Sequence, residues 1–158
     1  MDDRQFRNAM GKFATGVNVI ATEVGGEVHG MTANAFMSVS MDPKLIVISI
    51  GENAMMLDKI TKSQRFSVNV LTKDQEEESK IFAGQIKSTK TIDFEELGGN
   101  PVLPDSLAQI SCEVSSVHVE GDHTLFIGRV VDFNIREDEP LLFSCGRYRT
   151  LAREKTSV

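Results

Sequence analysis

The stretch His29-Gly-Met-Thr-Ala-Asn-Ala-Phe-Met-Ser-Val-Ser-Met41 repeats with a period of two. Its odd positions Met31, Ala33, Ala35, Met37, Val39 and Met41 are apolar. Its even positions Thr32, Asn34, Ser38 and Ser40 are small and polar, with Phe36 interrupting. Successive side chains of an extended chain point to opposite faces. The pattern therefore predicts a strand with one face in a core and the other carrying hydroxyls and an amide. Such a face can simply meet water. Solvated strand faces, however, usually recruit charged side chains, and no Lys, Arg, Asp or Glu occurs between His29 and Met41. Short, uncharged hydrogen-bonding groups suit a flat ligand lying close to the backbone.

The flanks read as further strands. Val17-Asn-Val-Ile-Ala-Thr22 alternates and Gly25-Gly26 supplies a turn, so a hairpin leads into the opening segment. Before it, residues 2–14 set Phe6, Met10 and Phe13 at helical spacing, an amphipathic helix expected to cover a sheet. After Asp42-Pro43, the β-branched run Leu45-Ile-Val-Ile-Ser-Ile50 is expected as a central strand, ended by Gly51. A short helix or a turn is expected over Ala54 to Ile60 and a strand over Phe66 to Leu71. The charge run Asp74 to Ser79 reads as the solvated face of a helix ending near Phe82-Ala-Gly84. Residues 85–105 read as a long excursion. Leu107 to Val119 and Thr124 to Ile135 flank Glu120-Gly-Asp-His123, a long hairpin with Gly-Asp in the turn. Leu141 to Cys145 is a last strand, and Gly146-Arg-Tyr-Arg149 leads into a tail, taken as residues 147–158. The expected fold is mainly β, an antiparallel barrel with a few short helices, formed by residues 1–158 as a single domain.

Composition narrows the function. The chain has 158 residues, 41% hydrophobic and 25% charged, within reach of one well-packed core. A net charge of −6 without a basic stripe excludes a nucleic-acid partner. No apolar run is long enough to span a membrane, and Met-Asp-Asp-Arg-Gln-Phe6 is too charged for a signal peptide, so a cytoplasmic location is expected. Cys112 and Cys145 lie in strand-like surroundings and are expected to pack as reduced, small hydrophobes. Motifs for a nucleophile elbow, a phosphate-binding P-loop, a zinc protease and a dinucleotide fold are all missing. His29 and His123 lie beside glycines at expected turns, whereas His118 falls within a strand. A turn histidine is either a surface residue or part of a site.

Several segments together carry a family resemblance: Phe6-Arg-Asn-Ala-Met-Gly-Lys-Phe-Ala-Thr-Gly-Val17, His29 to Phe36 with Ser38-Val-Ser40, Phe66-Ser-Val-Asn-Val-Leu71, Phe82-Ala-Gly84, Gly121-Asp-His-Thr-Leu-Phe-Ile-Gly128 and Gly146-Arg-Tyr-Arg149. In this order, over nearly the whole chain, they resemble the short-chain flavin reductase family. The resemblance is closest to reductase components of two-component monooxygenases acting on phenols and hydroxyphenylacetate. It implies an FMN-binding split barrel, a homodimer, and reduction of FAD or FMN by NADH or NADPH for a separate flavin-dependent monooxygenase. Carried over to this sequence, Met31, Thr32, Ala33, Asn34, Ala35, Ser38, Val39 and Ser40 would contact the flavin ring and ribityl chain. Ser49, Asn53, Ala54, Met55 and Leu57, with Lys59, would lie toward the phosphate end, and Phe82, Ala83 and Gly84 against the flavin. His123, Tyr148 and Arg149 would serve the nicotinamide nucleotide. No catalytic side chain and no metal is implied, since hydride passes between the cofactors themselves. A flavin-binding or carrier protein on the same barrel is the alternative. A pyridoxamine-phosphate-oxidase-like enzyme would call for a stronger basic phosphate cluster.

Overall fold

The computed structural model describes residues 1–154. In chain order its elements are α1 (Asp3–Met10), β1 (Thr15–Gly16), β2 (Asn18–Val24), β3 (Glu27–Ala33), β4 (Phe36–Met41), β5 (Lys44–Gly51), α2 (Met55–Ser63) and β6 (Arg65–Val70). There follow α3 (Glu76–Phe82), β7 (Glu95–Leu97), β8 (Asn100–Val102), β9 (Ala108–Glu120), β10 (His123–Ile135), β11 (Leu142–Ser144) and β12 (Arg147–Arg149). The protein is mainly β, as the alternation predicts. None of its helices is long and apolar enough to cross a membrane, among the described residues.

The opening stretch is two strands, not one. Seven strands pair in the order β3-β2-β6-β9-β10-β5-β4, so its halves lie at opposite edges of the same sheet, joined by Asn34-Ala35. Laid flat, seven strands spaced about 4.8 Å apart would separate those edges by about 29 Å. A link of two residues spans about 11 Å at most. The sheet must therefore curl until its edges approach.

The link also resets the alternation. Phe36 donates its amide to the Asn34 carbonyl, and Phe36 then pairs with Ile48 and packs against the core. Met31 and Ala33 pack against that core as expected, but Met37 and Met41 are 61% and 80% exposed and Val39 is exposed too. The apolar positions after the link thus face outward, because Phe36 takes the inward direction.

Two apolar clusters hold the fold. Ile46, Ile48 and Ile50 alternate inward along β5 and meet Ile20, Phe66 and Phe126, with Met56 and Ile60 of α2 closing the same cluster. A smaller cluster of Val17, Val19, Leu71, Leu103 and Leu141 takes up Phe82, Ile92, Phe94, Phe143 and Tyr148. It anchors the excursion of residues 85–105, which carries the β7–β8 hairpin instead of remaining irregular.

Several expectations are corrected. The helix α1 buries no residue and leaves Phe6 and Met10 exposed, so it covers no sheet within this chain. Residues 147–149 are not tail: β12 pairs with β11 in a three-stranded sheet with β1, because Gly146 at φ 75° turns the chain back. Of the expected tail, residues 155–158 lie outside the described residues. Cys145 is exposed at that turn, with φ 50°, and does not pack as a small hydrophobe. His29 lies within β3 opposite Thr22, away from the Gly25-Gly26 turn.

Candidate functional site

Three elements end around the Asn34-Ala35 link. The Ser49 amide donates to the Ala35 carbonyl at 3.3 Å, tying the link to the end of β5. The Ala54 amide donates to the Gly51 carbonyl (3.0 Å) and the Glu52 amide to the Asp122 carbonyl (2.9 Å). These bonds bring the start of α2 and the β9–β10 turn to the same end of the sheet. Met31, Ala33, Phe36, Ala54 and Leu57 form a half-buried apolar wall against the main core.

Polar groups along this wall are left uncommitted. The side chains of Asn34, Ser38, Ser40, Ser49 and Asn53 are exposed or half-buried, and among the described residues they take no hydrogen-bond partner. At the start of α2, Ala54 cannot cap the helix with its methyl, and while the Leu57 amide donates to the Ala54 carbonyl, the Met55 and Met56 amides and their partial positive charge take no partner among the described residues. Lys59, half-buried on the same helix, has no carboxylate partner among the described residues, whereas Lys62 is paired with Asp58 at 2.8 Å. Ser38, Val39 and Ser40 extend this surface along the edge strand β4, where a bulge falls between the two serines.

A second group sits across β3. The Thr32 hydroxyl donates to the Ser79 carbonyl at 2.6 Å, so its proton is spent holding α3 and only its lone pairs remain for a ligand. Phe82 lies over Gly30, where an added Cβ would come within 2.6 Å of its ring. Ala83 and Gly84 follow on the surface, with Gly84 at φ 71° ending the helix. Tyr148 reaches the Ser79 hydroxyl at 2.8 Å. Together with Arg149, Glu76, Leu141 and Thr150 it lines a cleft of about 340 Å³.

His123 belongs to the first group. It pairs with Gly51, and its exposed imidazole lies 2.7 Å from the Asp122 carboxylate through Nδ1. That contact holds the Asp122 carboxyl below the usual carboxylate range. Within the chain, His123 bonds to Asp122 and Tyr148 to Ser79, and no hydrogen bond among the described residues joins His123 to Tyr148 or Arg149. The three residues expected on the nicotinamide side thus fall in two places.

Comparison with known proteins decides the family. The family model for the flavin reductase like domain matches residues 10–152. The chain belongs to the flavin reductase like family. A NADH-dependent flavin reductase of a Rhodococcus species is 40% identical over 148 residues, covering 92% of this chain and 84% of that protein. The reductase component of 4-hydroxyphenylacetate 3-monooxygenase of Thermus thermophilus is 33% identical over 147 residues, covering 92% and 95%. Among solved structures, the flavin reductase PheA2 in its native state superimposes with a TM-score of 0.95 at 61% identity, covering 97% of this chain and all of that one.

In this flavin reductase like chain, two residues at the centre of the second group are not singled out by motif reading. Gly30 permits the close seat of Phe82, and Ser79 connects Thr32 to Tyr148. A signal for Ser79 exists: it stands three residues before Phe82, which places both on one face of α3.

Proposed function

We propose that this chain reduces FAD or FMN with NADH and passes the reduced flavin to a separate flavin-dependent monooxygenase of the phenol or hydroxyphenylacetate type. The observation that carries this reading is the row of uncommitted side chains, Asn34, Ser38, Ser40, Ser49 and Asn53, beside an apolar wall and an uncapped helix start. The donor set fits a flavin. Its flat ring suits the wall of Met31, Ala33 and Leu57, its carbonyls and ring nitrogens suit amide and hydroxyl partners, and its phosphate suits the free amides of α2 with Lys59. Phe82 with Ala83 and Gly84 would close the second side. The bound flavin supplies the hydride-accepting chemistry. What remains for the protein is to bind, orient and exclude water. His123, Tyr148 and Arg149 would receive the nicotinamide nucleotide.

The assembly belongs to the same reading. The curled sheet with its flavin link supports a split barrel forming one domain, and the exposed apolar side chains of α1, β4 and β10 support a homodimer. In a dimer, His123 and Tyr148, separate within one chain, have a second copy of each to work with. An exposed reduced thiol at Cys145 and a nicotinamide donor fit the cytoplasm.

The test is anaerobic mixing of the protein with NADH and excess FAD or FMN, following the flavin absorbance. Bleaching at a rate proportional to enzyme is expected, and flavin that binds but stays oxidised would reduce the chain to a carrier. In the same assay His123→Ala should lower kcat/KM for NADH by about tenfold to a hundredfold with flavin affinity unchanged. Equal rates for the two proteins would return His123 to the surface.

A further inference from the structure

Ser79 is the one buried residue of α3, in a helix whose other polar side chains are largely acidic and solvated. Its hydroxyl has one partner among the described residues, the phenol of Tyr148 at 2.8 Å. Its carbonyl, already accepting the Ala83 amide, also accepts the Thr32 hydroxyl at 2.6 Å. One residue therefore touches the strand that leads to Asn34 through its main chain, and Tyr148 through its side chain. Packing alone does not call for a hydroxyl here, since alanine fills nearly the same volume and is the better helix former.

Tyr148 needs such a hold. It stands on a strand of three residues reached through the Cys145-Gly146 turn, and an unanchored phenol there would have rotamer freedom to lose whenever a ligand arrived. Phe143 contacts its ring edge-on at 5.4 Å, and the Lys80 ammonium lies 5.6 Å from the ring centre. Both contacts fix where the ring is. The oxygen rides with the ring, but neither contact gives its O–H a partner or a direction.

We propose that Ser79 is a positioning residue for the nicotinamide nucleotide: its hydroxyl sets the phenol of Tyr148 in the cleft shared with Arg149 before the nucleotide binds. The inference rests on the reading that Tyr148 serves the nicotinamide side. Because the Thr32 contact uses the main-chain carbonyl, a side-chain change at residue 79 leaves it in place. The two functions of Ser79 can therefore be separated.

The experiment measures KM for NADH, kcat, flavin dissociation constant and melting temperature for Ser79→Ala, Tyr148→Phe, their double variant and Tyr148→Ala. Ser79→Ala and Tyr148→Phe should each raise KM for NADH by about threefold to tenfold, the range of one lost hydrogen bond. The double variant should be no worse than Tyr148→Phe alone, because that change already removes the bond to Ser79. Flavin affinity should stay constant throughout, and Tyr148→Ala should raise KM at least as far. If Tyr148→Ala raises KM but Ser79→Ala does not, the positioning role is wrong and the reading of Tyr148 stands. If Tyr148→Ala leaves KM unchanged, both fall. Effects that add in the double variant, or a loss of melting temperature and flavin affinity with KM for NADH intact, would make Ser79 merely structural.

Discussion

Cys112 sits in the main core beside Phe66 and Gly128, and burial pushes its thiol up to about 12 from an ordinary value of 9.0. The unfolded chain ionises first as pH rises, so the contribution of this thiol to stability is whole below about pH 9 and is lost progressively toward pH 12. Denaturant titrations over that alkaline range should show a slope of about 1.4 kcal/mol per pH unit that Cys112→Ala removes. A slope unchanged in the variant would show that another group is responsible. A thiol reagent should modify the exposed Cys145 in the native protein and reach Cys112 only on unfolding. The sequence placed both cysteines in apolar surroundings, and that reading fails at Cys145. The residue lies just past a short strand, in a turn that faces solvent, and burial is not decided by immediate neighbours.

Among the elements, α3 is keyed to β3 by Gly30 as much as by any polar contact. A Cβ at residue 30 would come within 2.6 Å of Phe82 ring carbons Cδ1 and Cε1, so Gly30→Ala should displace the ring and with it the end of the helix. The expected loss is about 1–3 kcal/mol, with weakened flavin binding. Gly16→Ala in β1, where nothing lies within 4 Å of the added methyl, is the control and should be near neutral. If Gly30→Ala kept both its melting temperature and its flavin affinity, the seat of Phe82 would not matter to the site. The hairpins β2–β3 and β9–β10 were legible because their turns are local: Gly25, Gly26 and Gly121 take φ of 60°, 79° and 64°, which side chains seldom adopt. The seat of α3 was not legible, because it depends on two residues far apart in sequence.

For the molecule as a whole, the outward-facing Met37, Val39 and Met41 of β4, with Phe133 and Ile135 of β10 at 52% and 76% exposure, are the apolar side chains that the proposed homodimer would cover. Sedimentation at micromolar concentration should give a dimer. Phe133→Asp should shift it toward monomer and lower flavin turnover with it. A fully active monomeric wild type would remove the dimer from the proposed function.

Local chemistry was enough to determine the strand-rich character, the two tight hairpins and the helices α2 and α3. Each of these follows from periodicity or turn residues within a dozen positions. The tertiary structure decided the rest. Alternation from His29 to Met41 is the same whether it forms one strand or two, and only the curling of a seven-stranded sheet sends its halves to opposite edges and turns the methionines of β4 outward. In the same way Thr32 reads as a free ligand group until α3 folds over it and its hydroxyl finds the Ser79 carbonyl. A hydrogen bond spanning 47 residues leaves no mark in local sequence, because the partners meet only after the core has closed around them.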